Sequence, residues 1–103
     1  MSIQEIIKQQ IESNAIVLYM KGTPDAPQCG FSARAANTLK ALGLPFAAVN
    51  VLDNPEIRQG IKEFSNWPTV PQVYIKQQFI GGSDIVAEMY ENGELQQLIQ
   101  DLS

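Results

Sequence analysis

The chain has 103 residues, 45% of them hydrophobic and 17% charged, with a formal net charge of −4. That length predicts one compact domain over residues 1–103 with a modest core, and leaves no room for a second. The acidic balance and the lack of any basic cluster argue against a nucleic-acid partner, and the absence of histidine excludes every histidine-based metal site, triad or proton shuttle.

Ser2 followed by Glu5 matches a capping box, and Ile3, Ile6, Ile7 and Ile11 repeat at helical spacing until Asn14. This first stretch has neither a positive segment nor a long apolar run, so no secretory signal is expected. Ile16-Val17-Leu18-Tyr19-Met20 is a continuous apolar run of strand length, the pattern of an inner strand covered on both faces. The longest apolar stretch, Ala15 to Met20, is too short to cross a bilayer. A loop from Lys21 to Gln28, marked by Pro24 and Pro27, precedes a helix predicted from about Cys29 through Leu42 and ended by Gly43. Pro45 opens a second strand, Phe46 to Val51. Strand, helix and strand in this order favour a parallel crossover.

Asn54-Pro55-Glu56 is an N-cap, a first-turn proline and a first-turn acid, with Ile57, Ile61 and Phe64 lining one face behind them. Trp67-Pro68-Thr69-Val70-Pro71 then breaks the chain twice. Val73-Tyr74-Ile75 and Phe79-Ile80 predict a hairpin across Lys76-Gln77-Gln78, a turn without the usual Asn-Gly or Asp-Gly. Gly81-Gly82-Ser83-Asp84 leads into a helix with Ser83 as the expected N-cap. Asn92-Gly93 interrupts it, and Leu95, Leu98, Ile99 and Leu102 stripe a last helix. The order α, βαβ, α, ββ, α, α predicts an α/β fold with a mixed four-stranded sheet flanked by helices. In such sheets ligands gather beyond the carboxyl ends of the parallel strands, and Cys29 follows the first strand there.

Cys29 is the single cysteine, so it can form no internal disulfide and cannot hold a metal alone. One unpaired thiol fits a reducing compartment, here the cytoplasm, better than secretion. A lone cysteine is commonly a small buried hydrophobe. Its place after a proline-marked loop, at a helix N-terminus and near Lys21, points instead to a stabilised thiolate.

Lys21 with Cys29-Gly30-Phe31-Ser32, then Trp67-Pro68-Thr69-Val70-Pro71, then Gly81-Gly82-Ser83-Asp84, together resemble the monothiol, CGFS-type glutaredoxins of the thioredoxin superfamily, in their short form. The likeness covers essentially the whole chain in order and spacing. It implies a thioredoxin-like fold and a cis peptide before Pro71. It also implies that the Val70 backbone is offered to the cysteinyl unit of glutathione as an added strand. By the same resemblance Lys21 and Arg58 bind the glycyl carboxylate. The helix opening at Ser83-Asp84 holds the γ-glutamyl carboxylate, and the Asp84 carboxylate pairs with the γ-glutamyl amine. Taken alone, Arg58 reads as a solvated charge and Ser83-Asp84 as an ordinary cap. Ser83 stands where many members of the family carry cysteine, which closes an internal-disulfide route.

The resemblance further implies a [2Fe–2S] cluster at a homodimer interface, ligated by Cys29 and one glutathione from each subunit. Handover to apo iron–sulfur proteins and heterodimers with BolA-like partners come with it, and no membrane is involved. The rival reading is a glutathione-dependent thiol–disulfide oxidoreductase. Ser32 replaces the resolving cysteine of a dithiol enzyme, so only a one-thiol route remains, with weak activity expected. A redox-inert interaction module is a third reading, in which Cys29 would be dispensable.

Overall fold

The structure, a computed structural model describing residues 1–102, places the apolar run Ile16–Met20 as β1 at the heart of a four-stranded sheet. Its neighbours are β4 (Ala47–Asn50), which runs parallel, and β5 (Gln72–Ile75), which runs antiparallel. The outer strand β6 (Gln78–Gly81) pairs antiparallel with β5, giving the order β4-β1-β5-β6. Every residue of β1 is buried, as a strand covered on both faces requires.

The alternation along β1 divides the core in two. Ile16, Leu18 and Met20 face one side, where α2 (Gly30–Ala41), α4 (Ser83–Glu91) and α5 (Glu94–Ile99) supply Ala35, Ala36, Leu39, Val86, Leu95 and Ile99. Val17 and Tyr19 face the other, against Ile7 and Ile11 of α1 (Ile3–Glu12) and Ile57 and Ile61 of α3 (Pro55–Ser65). Each fully buried aliphatic side chain contributes roughly 1.5–3 kcal/mol, so the two layers hold the sheet from both sides. Among the described residues no helix is long and apolar enough to cross a membrane.

Caps agree with the sequence at three ends. Ser2 and Glu5 form the capping box of α1. Asn54 Oδ1 accepts from the Glu56 and Ile57 N–H groups, with Pro55 in the first turn of α3. Gly43 follows α2 at φ +77°, the left-handed position that ends a helix.

Four expectations are corrected. The second parallel strand is shorter than Phe46 to Val51: Phe46 packs into the core ahead of it, and Asn50 turns the chain by accepting the Leu52 N–H. The segment Lys21 to Gln28 is not irregular, because β2 (Gly22–Thr23) and β3 (Ala26–Pro27) form a small antiparallel ladder within it. The hairpin turn is only Lys76-Gln77, both at positive φ (51° and 70°), with Gln78 already in β6. This is the backbone a two-residue hairpin needs, here adopted without glycine. Finally, the N-cap of α4 is Gly82, and Ser83 is its first helical residue.

Candidate functional site

A groove of about 560 Å³ opens beyond the carboxyl end of β1. Lys21, Cys29, Arg58, Val70, Ser83 and Asp84, drawn from five separate segments, all line it. The fold therefore brings together the six residues to which the sequence assigned a binding or catalytic role. How each is held follows from local chemistry.

Lys21 leaves the end of β1, and its backbone N–H donates to Ser32 Oγ at 3.0 Å. The next residue is glycine by necessity. Gly22 sits at φ +90°, and a Cβ there would lie 2.6 Å from both the Ala26 carbonyl oxygen and the Gln28 nitrogen. Its N–H donates to Asn50 Oδ1 at 2.9 Å, and the Gln28 N–H returns to the Lys21 carbonyl at 2.9 Å. The ladder β2–β3 thus folds back on itself and delivers Cys29 beside the strand end that carries Lys21.

Cys29 is the N-cap residue of α2, extended at φ −155° and ψ 136°, and no side-chain hydrogen bond caps that helix. Its sulfur occupies the place where serine or asparagine would receive the N–H groups of the second and third helical residues, here Phe31 and Ser32. The thiol is half-buried, and its pKa lies below the ordinary thiol value. The Ser32 backbone N–H is the main cause and exceeds the opposing penalty from burial; the Phe31 N–H, the Ser32 hydroxyl and the Lys21 charge add lesser contributions. Lys21 is the weakest of these contributors, so the helix terminus and not the lysine sets the thiolate. Alkylation rate against pH should accordingly give a midpoint below that of a free cysteine. Ser32→Ala should raise it, Lys21→Ala should raise it by less, and a wild-type midpoint at or above the free-thiol value would refute the activation.

Val70 precedes a cis peptide to Pro71, and Thr69, Val70 and Pro71 form one wall of the groove. The wall is fastened from behind by Gln72, which is fully buried. Its amide donates to the carbonyls of Trp67 (3.3 Å) and Thr69 (3.1 Å), and its oxygen accepts from the Tyr74 hydroxyl (3.1 Å). Burial pushes the Tyr74 hydroxyl up to about 12, so it remains a neutral donor. Also lining the groove, α3 presents Arg58 and, one turn later, Lys62.

At the far end Ser83 and Asp84 open α4, whose first turn has no side-chain cap. The Asp84 carboxylate is engaged by Arg34 of α2, Nη1 to Oδ1 at 2.7 Å. Four further residues line the groove that were not expected there, although Phe31 and Trp67 lie inside the motifs quoted above. Lys62 was signalled only by its four-residue spacing from Arg58. Phe31, Trp67 and Ile85 line the groove while 61%, 40% and 41% exposed, and they come from three segments that share no local pattern.

Residues 16–80 match the Glutaredoxin family model. The chain is 53% identical over 94 residues to an uncharacterized monothiol glutaredoxin ycf64-like protein of Synechocystis, covering 91% of this chain and 88% of that one. It is 53% identical over 97 residues to glutaredoxin 4 of Escherichia coli K12, covering 94% and 84%. Among solved structures, a monomeric truncated mutant of Trypanosoma brucei 1-C-Grx1 superposes with a TM-score of 0.88 at 42% identity, covering 98% of this chain and 91% of that one. With its single thiol at the head of α2, on a thioredoxin-like fold, this chain belongs to the monothiol glutaredoxins.

Proposed function

We propose that the chain, as one glutaredoxin domain, binds glutathione in the groove and carries a [2Fe–2S] cluster as cargo between two copies, delivering it to apo-proteins. One observation carries this reading: the only thiol, with a lowered pKa, lines a groove together with Lys21, Arg58 and Lys62, while the sequence offers no second thiol and no histidine. A [2Fe–2S] cluster takes four ligands, usually thiolates. Cys29 fits as one of them because it is accessible and favours the thiolate. The remaining sulfur must come from a bound small thiol and a second copy.

In this reading Lys21 and Arg58 hold the glycyl carboxylate of glutathione by charge. The Val70 backbone pairs with the cysteinyl unit as a short added strand. The first turn of α4 and Asp84 receive the γ-glutamyl end. The peptide's own thiol is thereby set beside Cys29. Phe31, Trp67 and Ile85, exposed around the groove, are the apolar rim that a second copy would cover. A BolA-like protein would replace that copy, and a cytoplasmic location fits the free thiol. Gel filtration tests the shared-ligand arrangement directly: cluster-loaded protein should elute as a dimer and cluster-free protein as a monomer. A loaded monomer with full spectral intensity would refute it.

The lowered thiol pKa also favours a second reading, glutathione-dependent reduction of mixed disulfides. The Cys29 thiolate would attack the glutathionyl sulfur, releasing the substrate thiolate and forming a Cys29–glutathione disulfide. A second glutathione thiolate would then attack that glutathionyl sulfur, giving glutathione disulfide and restoring Cys29. Ser32 takes no part as a resolving group. It is fully buried and committed to the Lys21 N–H.

A further inference from the structure

We propose that Arg34 is a specificity-determining residue: with Asp84 it forms a paired-charge reader for the zwitterionic amino-acid end of the peptide bound in the groove. The inference rests on the glutathione reading above and adds to it a residue outside the groove's lining.

Asp84 is a lining residue and Arg34 is not; Arg34 reaches Asp84 from the second turn of α2. The contact joins Nη1 to Oδ1 at 2.7 Å, and the two side chains remain 53% and 79% exposed. The guanidinium has five N–H donors in a planar fork and the carboxylate two oxygens, so the observed bond leaves both groups with capacity facing solvent. Adjacent opposite charges with free valence complement a group that itself carries both charges on one carbon. An α-ammonium set on Asp84 holds its α-carboxylate within reach of Arg34, where a fork-like contact is favoured. Because the pair is exposed, opening it to admit a ligand costs little. Arg34 also cancels the Asp84 charge at the open end of α4, where an unpaired carboxylate would repel an incoming anion.

The test uses S-methylglutathione, which cannot do thiol chemistry, and two S-methyl analogues. In one a glutaryl group replaces γ-glutamyl, removing the ammonium; in the other a 4-aminobutyryl group removes the α-carboxylate. Affinities of the full chain are read by titrating the Gly82 and Ser83 amide resonances. Arg34→Ala should weaken S-methylglutathione and the glutaryl analogue by about fivefold each. It should leave the 4-aminobutyryl analogue within twofold, and Arg34→Lys should recover part of the loss. A similar loss for all three ligands would overturn the proposal, because Arg34 would then merely support the fold. No loss for any, or tighter binding after Arg34→Ala, would overturn it too. Failure of the wild-type chain to bind S-methylglutathione would instead remove the glutathione reading, and this inference with it.

Discussion

Protein reconstituted anaerobically with iron, sulfide and glutathione, then quenched in acid, should release about one glutathione per subunit alongside about one iron and one sulfide. The ratio follows from the cysteine count. Two copies bring two thiolates from Cys29, and neither Ser32 nor Ser83 can supply the missing pair: both are buried, and a hydroxyl stays protonated at neutral pH. Cys29→Ser should abolish cluster retention outright. Lys21→Ala and Arg58→Ala should lower it several-fold without removing any ligand atom, because in the proposed arrangement each would loosen the peptide that brings the other thiol. Their loss should be compensated by raising the glutathione concentration, whereas that of Cys29→Ser should not. An intact [2Fe–2S] spectrum with no glutathione or other added thiol would overturn the mechanism.

The sheet and its helices were legible because their signals are local. The five-residue apolar run of β1, the Asn54-Pro55-Glu56 cap and the isoleucine stripe of α1 each state their structure within a few residues. The groove's chemistry was legible through resemblance, which named six lining residues that no single pattern connects. Exposed apolar surface was not legible. Phe31, Trp67 and Ile85 come to line one groove only after a helix N-terminus, a proline loop and a second helix N-terminus converge. The cap of α4 was misassigned because serine normally outranks glycine there. Here the chain turns at Gly82 in extended backbone (φ −90°, ψ −165°), and Ser83 is drawn into the helix and buried. The ladder β2–β3 was hidden for a different reason: its strands are two residues long, below the length at which alternation can be seen.

The role of Gln72 was hidden too, since glutamine inside a strand carries no signal of its own, yet its replacement should be among the most damaging in the chain. Gln72→Leu nearly preserves volume but strips two donated bonds from the Trp67 and Thr69 carbonyls and the acceptor of the Tyr74 hydroxyl. Buried polar groups left without partners cost about 1–3 kcal/mol each. Water reaches the partly exposed Trp67 end, so the net destabilisation should be about 2–4 kcal/mol, seen as a lower urea midpoint with an unchanged slope. Tyr74→Phe removes only the third bond and should cost about 1 kcal/mol. The two variants separate scaffold from site. If Gln72 positions the Thr69–Val70 wall, Gln72→Leu should weaken S-methylglutathione under conditions where the variant is fully folded, while Tyr74→Phe leaves affinity near wild type. The loss should extend equally to the glutaryl and 4-aminobutyryl analogues, because in the proposed binding mode the Val70 backbone would meet the cysteinyl unit and not the charged end. Equal affinity of folded Gln72→Leu and wild type would show that the wall holds its shape without the clamp.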